Sequence, residues 1–211
     1  MRRIGIHRRV VLGATVLNAV GVSPRAWAVD AAAVVAPIQQ LCKGLLAIMH
    51  AGQTMPFAQR FSQLAPVVER VFDLATILQI SVGPSWPTLS ADQRSMLLAA
   101  FRRYTIASYV SNFDEYSGQR FDVASDVRGL PNGEQVVDTR IVPTSGDAHT
   151  LDYVMRQNAQ VWRVVDVLLD GTISRVAVQR SDFRRLLSEG GAAALAKSLD
   201  DKTANLSGGA A

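Results

Sequence analysis

Apolar residues recur every three or four positions through the first half of the chain and every second position through much of the second half. The first spacing is typical of helices that bury one face, and the second of strands in a half-exposed sheet. Helical spacing returns after Gly171. Helices gathered before and after one sheet predict an α+β fold, with a helical N-terminal half packed on the sheet and helices at the C-terminus.

Local signals set the predicted helix boundaries. Ser90 and Gln93 form a capping box at the start of the longest helix, and Asp73 is a candidate cap for a short one. The pair Gly190-Gly191 is expected to break the C-terminal helical region, leaving a weaker last helix. The N-terminal helices are predicted over residues 34–51, 57–71, 74–80 and 91–110, and the last helix over 192–206.

Four strands are predicted, joined by short turns such as Pro131-Asn132-Gly133. Consecutive strands with such connections pair antiparallel, so we expect a twisted, mainly antiparallel four-stranded sheet. The last strand is the most apolar of the four and ends at the turn Asp170-Gly171. The strands cover residues 120–127, 134–142, 150–157 and 161–169.

The N-terminus has the pattern of an export signal. Basic residues such as Arg8 and Arg9 precede an apolar run over 10–22, and Ala26-Trp27-Ala28 supplies a small-x-small cleavage site. The run is shorter than the roughly 20 residues that span a membrane. We therefore expect residues 1–28 to be removed after Ala28, by the general secretory or the twin-arginine route. The mature domain would be 29–211, with a frayed tail over 206–211.

Removal of this segment changes the charge of the chain. The full sequence has 22 basic and 18 acidic residues, and five arginines lie in the signal, so the mature chain holds 17 basic residues and a net charge of −1. Nucleic acid is not an expected partner, because binding it needs a basic face that neutralises phosphates. The 183 mature residues suit one domain with a substantial core. The lone Cys42 lies among leucines and is expected to be buried.

Side chains suited to catalysis or metal binding are few. His50 and His149 lie far apart in the sequence without a ligand-spaced partner, so no metal is expected. The segment Gly83-Pro84-Ser85-Trp86-Pro87 resembles a nucleophile elbow, but proline replaces the last glycine and no strand precedes it. The sequence has neither a phosphate-binding glycine loop nor paired cysteines, so no cofactor is expected.

Asp166 stands out because it lies between Val165 and Val167 inside the apolar fourth strand. A buried carboxylate must be paired or hydrogen-bonded, or its pKa rises. It is therefore either a catalytic acid or a structural partner for an arginine or for loop amides. No second carboxylate or histidine is placed beside it by sequence, which favours the structural interpretation.

Aromatic residues crowd the longest helix, opposite an unusually apolar strand. A helix layer held slightly off such a sheet would enclose an apolar cavity, and ligand cavities span roughly 300–1,000 Å³. Strict alternation places Trp162 and Val165 on opposite faces of the strand. The candidate lining residues therefore form two sets, one on each face, and one of the two sets is expected to be wrong. The candidate lining residues are Phe101, Tyr104, Tyr109, Phe113, Trp162, Val165, Val167 and Ile173.

Several segments resemble the MlaC/toluene-tolerance family of periplasmic lipid carriers: 89–93, 101–104, 109–118, 162–171 and 181–183. In order and spacing, the resemblance covers roughly residues 34–206. Two further segments, 82–86 and 176–181, are more similar to the hopanoid-associated HpnM branch of that family.

The resemblance implies a lipid cavity between helices and sheet, and no catalytic centre. It implies phospholipid or hopanoid as cargo, transient partners in inner- and outer-membrane transport complexes, and a role in outer-membrane maintenance; we expect a monomer. A carrier is physically reasonable, because exposing a two-chain lipid to water costs on the order of 20 kcal/mol at ~0.8 kcal/mol per methylene. Two alternatives stay open: an envelope enzyme acting on a hydrophobic small molecule through Asp166, and a purely structural envelope adaptor.

Overall fold

The computed structural model describes residues 29–208. Within this range, five α-helices and seven β-strands form an α+β arrangement. The helices are α1 Ala31–Ala51, α2 Phe57–Val71, α3 Leu74–Val82, α4 Ala91–Asn112 and α5 Arg175–Leu206. The strands are β1 Arg120–Val123, β2 Arg128–Gly129, β3 Gln135–Val137, β4 Thr139–Val142, β5 His149–Asn158, β6 Val161–Leu169 and β7 Ile173–Ser174. Two 3₁₀ turns follow α1 and α3, over Gly52–Thr54 and Gly83–Thr88.

The helices begin and end where the sequence signals place them. Ser90 Oγ accepts the Gln93 backbone N–H at 3.2 Å, and Gln93 Oε1 accepts the Ser90 N–H at 2.9 Å, which completes the capping box of α4. Asp73 Oδ1 accepts a backbone N–H of the first turn of α3 at 3.0 Å. Gly52 and Gly83, with φ of 56° and 65°, terminate α1 and α3 in the region that favours glycine. The four predicted N-terminal helices are confirmed.

The sheet is antiparallel, as predicted, but it has seven strands rather than four. Its order is β1-β4-β5-β3-β2, with β6 beside β5 and β7 beside β6. The predicted second strand is split at Asp138 into β3 and β4, and next to the break the carboxylate of Asp152 accepts the Thr139 N–H at 3.4 Å. The predicted first strand, 120–127, ends early: β1 stops at Val123, and the separate strand β2 begins only at Arg128, beyond the predicted range. Alternation in the sequence continues across both breaks and hides them.

The core lies between the helices and one face of the sheet, and α1 runs through it. By length and hydropathy α1 could cross a membrane. In the fold, however, its apolar face is fully buried against α2, α4 and the sheet, which is how the core helix of a globular protein behaves. Cys42 lies on this helix, and burial raises the pKa of its thiol to about 12, so it packs as a neutral side chain. The fully buried positions of α1 are Val34, Ile38, Leu41, Leu45 and Ile48.

One extra residue interrupts the pairing of β6 with β5. Val154 of β5 is opposite Asp166, whereas the next residue, Met155, is opposite Val164. Val165 therefore has no partner in β5 and forms a β-bulge. A bulge of this kind shifts by one the positions that face each side of a sheet.

The bulge changes which residues of β6 face the helices. Before the bulge, Trp162 and Val164 do so and join the main core. After the bulge, Val167 and Leu169 face the helices instead. Val165 itself packs on the opposite face of the sheet, in a small cluster with Val136, Val154, Leu130 and Leu168. The bulge therefore places Trp162 and Val167 on the same side of the sheet, although strict alternation places them on opposite faces. The expectation that all candidates on one face must be wrong is corrected in this respect.

α5 packs against α3 and α4 and closes the helix layer. Phe183, which is 2% exposed, meets Phe101 of α4 with ring centres 6.2 Å apart and planes at 89°. The helix is kinked at Gly190 and Gly191, where Gly191 has φ 65° and ψ −160°. The predicted break at this glycine pair is thus present, inside one nearly continuous element.

Two predictions concern the chain ends. The expected export signal, residues 1–28, lies outside the described residues, as do residues 209–211 of the expected frayed tail. Within the described part, α5 continues to Leu206 and Ser207 is 7% exposed.

Replacing Phe183 with alanine should lower the free energy of unfolding by about 3–5 kcal/mol, because it removes a buried ring and leaves a cavity between α4 and α5. Urea unfolding followed by circular dichroism measures this change. The neighbouring Asp182→Ala is the matched control: Asp182 is exposed, so its replacement should stay within about 0.5 kcal/mol of the parent. Equal midpoints for the two variants would contradict this packing of α5.

Candidate functional site

A pocket of about 250 Å³ lies between α4, the first turns of α5 and the part of the sheet beyond the bulge. The junction of α2 and α3 contributes a fourth side. Most of the lining is aliphatic or aromatic, and the polar groups come mainly from α4 and α5. The lining residues are Phe72, Leu74, Ile77, Phe101, Tyr104, Thr105, Ser108, Tyr109, Asn112, Phe113, Leu151, Asp166, Val167, Leu169, Arg175, Val176 and Gln179.

The wall formed by α4 follows from helical spacing. Residues from Phe101 to Asn112 that are three or four positions apart fall on one face of the helix, and that face meets the pocket. The rings of Tyr109 and Phe113 stack with centres 6.0 Å apart and planes at 12°, and Tyr109 also packs on Phe72 at 5.4 Å. These aromatic contacts fix the position of the wall at the C-terminal end of α4.

The opposite wall is formed by paired strands. Val167 and Leu169 of β6 lie opposite Tyr153 and Leu151 of β5. Tyr153 is buried in the core, whereas the other three side chains are half-buried and line the pocket. Side chains in a close-packed interior leave few voids. Half-buried apolar residues on the core side of a sheet therefore mark a space that protein atoms leave open.

Five of the eight predicted lining residues meet at this pocket: Phe101, Tyr104, Tyr109, Phe113 and Val167.

The structure places the other three elsewhere. Trp162 is 8% exposed and lies in the core on the near side of the bulge. Val165 is the bulged residue and packs on the opposite face of the sheet. Ile173, in the edge strand β7, is 50% exposed. It pairs with Leu169 at the end of β6 but does not line the pocket.

The remaining lining residues were not predicted from the sequence. Thr105 and Asn112 share a helical face with aromatic residues that were predicted, so the spacing could have revealed them. Leu169 becomes a lining residue only because of the bulge. Phe72 has no sequence signal, because its position depends on the α2–α3 junction pairing with the edge of β6, where the Asp73 N–H donates to the Val164 carbonyl at 2.9 Å.

Asp166 lies where β6 meets the start of α5. Its Oδ1 accepts the backbone N–H of Val167 at 2.7 Å and that of Val176 at 3.1 Å. Its Oδ2 accepts the hydroxyl of Ser174, which in turn caps α5 by accepting the Ala177 N–H at 2.9 Å. A carboxylate at a helix N-terminus also compensates the helix dipole. The side chain thus ties the strand after the bulge to the first turn of α5.

Two tyrosines lie at the pocket: Tyr109, which is half-buried and lines it, and Tyr153, which is buried beneath it. Burial raises the pKa of Tyr109 above its usual value, and the positive charge of Arg175 opposes this shift. Burial, followed by the neighbouring Tyr109, also raises the pKa of Tyr153. Both therefore stay neutral near pH 7, and neither acts as a base or a nucleophile there.

The other candidate chemical groups lie away from the pocket. The ring of His50 packs on Tyr116 with centres 3.8 Å apart, and His149 is exposed at the start of β5. Ser85 lies in the 3₁₀ turn after α3, so it is not presented on a strand-to-helix turn. Over residues 29–208, no group of three or more histidine, cysteine or acidic side chains could hold a metal ion.

An α+β fold with an apolar pocket between its helices and an antiparallel sheet defines a class of proteins built around an internal cavity. The family model described as MlaC protein matches residues 39–201. The chain therefore belongs to the MlaC protein family, as the sequence resemblance predicted. Assignment to the hopanoid-associated branch stays a prediction.

The structure is similar to that of a phospholipid-binding protein from Ralstonia solanacearum, solved in complex with a phospholipid. The TM-score is 0.70 at 19% sequence identity, and the match covers 82% of this chain and 98% of that one. The α+β fold predicted from the sequence is thereby confirmed.

Replacing Asp166 with alanine should lower the free energy of unfolding by about 1–3 kcal/mol, because the Val176 N–H and the Ser174 hydroxyl lose their acceptor. Asp166→Asn retains one acceptor oxygen and should cost less. Thermal unfolding compares both with Asp147→Ala, an exposed loop residue for which no measurable change is expected. If Asp166→Ala matches that control, the carboxylate does not hold α5 to the sheet.

Proposed function

We propose that this protein is a soluble periplasmic carrier that binds a phospholipid or a hopanoid and moves it between the inner and outer membranes. The observation that carries the proposal is the pocket itself, an apolar space enclosed by α4, α5 and the inner face of β5 and β6. Pockets that bind small molecules are mostly apolar, with a few polar groups that orient the ligand.

Two further observations support lipid as the cargo. The chain belongs to the MlaC family, whose members are periplasmic. The Ralstonia solanacearum protein with the same fold was solved in complex with a phospholipid.

The basic and apolar N-terminal segment, residues 1–28, has the composition that export to the periplasm requires.

The physical basis of carriage is the removal of acyl or ring carbons from water. Each buried methylene contributes about 0.8 kcal/mol, so roughly ten of them stabilise the complex by about 8 kcal/mol. The pocket volume of about 250 Å³ is below the usual range for ligand sites, and two long chains need more space than this. Loading a two-chain lipid therefore requires the walls to move apart.

The first part of α5 is the wall that would move, because it is joined to its second part at the Gly190–Gly191 kink. The hydrogen bond from the Val176 N–H to Asp166, which holds its first turn to the sheet, would have to break. A rotation about the kink would separate residues such as Val176 from α4 and deepen the pocket. Membrane complexes that bind the widened form would promote loading and release, because a ligand shifts an equilibrium only through its preference for one state.

The alternative of an envelope enzyme would use Asp166, because its carboxylate borders the pocket. Both of its oxygens accept hydrogen bonds from the protein, which is how a structural carboxylate is held. Within the described chain, no histidine or second carboxylate lines the pocket to act with it. These contacts favour binding over catalysis.

Replacing Ser108 with tryptophan should fill the pocket and lower the lipid that co-purifies at least tenfold, because the indole occupies the space of the acyl chains. The protein is expressed with its signal, purified from the periplasm, and its extracted lipids are quantified by mass spectrometry. Phospholipid or hopanoid in the parent protein supports the carrier, and its absence contradicts the proposal.

The control for this variant is Ser62→Trp, on the exposed face of α2. It adds the same side chain outside the pocket and should leave the lipid content unchanged. Far-UV circular dichroism checks that both variants are folded. Equal lipid content in Ser108→Trp and the parent would show that lipid binds elsewhere.

A further inference from the structure

Several polar side chains in the pocket have no protein partner. Thr105, Ser108 and Arg175 all line it. Among the side-chain hydrogen bonds of residues 29–208, none involves these groups, although helical Ser81 and Thr203 bond carbonyls of their own helices. A polar group in an apolar site is stabilised only when it is hydrogen-bonded. These groups are therefore available to oxygen atoms of a ligand.

Arg175 is the most unusual of them. It is the first residue of α5, where the helix dipole disfavours a positive charge, and it is half-buried and lines the same pocket as Tyr109. It forms no ion pair within the described chain, whereas arginines such as Arg102, Arg103 and Arg156 each pair with a carboxylate. The stability of the fold gives no reason for an unpaired cation at this position.

Two lining residues of the pocket, Asp166 and Val176, also line an open cleft of about 390 Å³. Two more arginines, Arg180 and Arg184, line this cleft, and neither forms an ion pair within residues 29–208. An apolar pocket with an arginine in its lining and a basic cleft beside it matches an amphiphile whose polar end carries negative charge.

We propose that Arg175, at the start of α5, binds the phosphate of a lipid headgroup whose chains occupy the pocket, and that this contact makes the protein prefer phosphate-bearing lipids over uncharged ones. The inference rests on the proposed function and narrows its cargo, since an uncharged hopanoid offers no such anion. Arginine suits this role because its planar fork donates two parallel hydrogen bonds to phosphate oxygens. Thr105 and Ser108 then supply donors to the ester oxygens below the phosphate.

The test uses two lipids that differ only in the phosphate. Full-length protein purified from the periplasm is incubated with vesicles that contain equal amounts of phosphatidic acid and diacylglycerol with identical acyl chains. The protein is re-isolated, and mass spectrometry gives the ratio of the two bound lipids. The parent protein should bind phosphatidic acid at least tenfold more than diacylglycerol.

Arg175→Gln should reduce this ratio towards one while total bound lipid persists, because the pocket still takes the acyl chains. Arg175→Lys keeps the charge without the fork, so its ratio should be intermediate, and it also serves if the glutamine variant does not fold. The matched control is Arg163→Gln, an exposed arginine of β6 that precedes the bulge and lies outside the pocket. It should keep the parent ratio.

The outcomes separate the two proposals. If the parent binds neither lipid, the carrier function fails and this inference fails with it. If the parent binds lipid and Arg175→Gln keeps its ratio, the role of Arg175 is overturned while the carrier function stands. A titration with inorganic phosphate alone completes the test, because saturable binding that Arg175→Gln abolishes without changing the lipid ratio would reassign the site to free phosphate.

Discussion

Val165 is one residue more than β6 needs to pair with β5, and the geometry of the pocket depends on that insertion. Without it, Val167 and Leu169 would point away from the helices, because successive side chains of a strand alternate between faces. With it, both line the pocket. One backbone irregularity thus supplies the apolar floor of the cavity.

The sequence predicts most of the helical layer because helix ends are determined locally. The capping groups act on backbone groups only a few residues away, so their effect can be predicted from the local sequence. These groups are Ser90, Gln93, Asp73 and the helix-ending glycines. The aromatic face of α4 is predicted for the same reason, since three- and four-residue spacing decides what a helix presents.

The sheet is predicted less completely because its geometry depends on partners that are distant in sequence. Apolar residues occupy both faces of the segment Val164-Val165-Asp166-Val167-Leu168-Leu169. Its sequence therefore does not show which residues face the helices, and an extra residue cannot be recognised from the pattern. The exposure of Ile173 depends on how β7 pairs with β6. The position of Phe72 depends on its bridge to Val164. At the strand break at Asp138, the Thr139 N–H donates to a side chain of β5. Each of these requires the tertiary structure.

In the proposed carrier, a lipid chain occupies the space between α4, α5 and the inner face of β6. Methyl NMR with a phospholipid that carries a nitroxide in its acyl chain tests it directly, because the spin label broadens only nearby resonances. The methyl signals of Val167, Leu169 and Leu151 should broaden strongly, and those of Val136 and Val154, on the opposite face of the same sheet, should not. Equal broadening on both faces, or broadening of the opposite face alone, would contradict the pocket as the site of lipid binding.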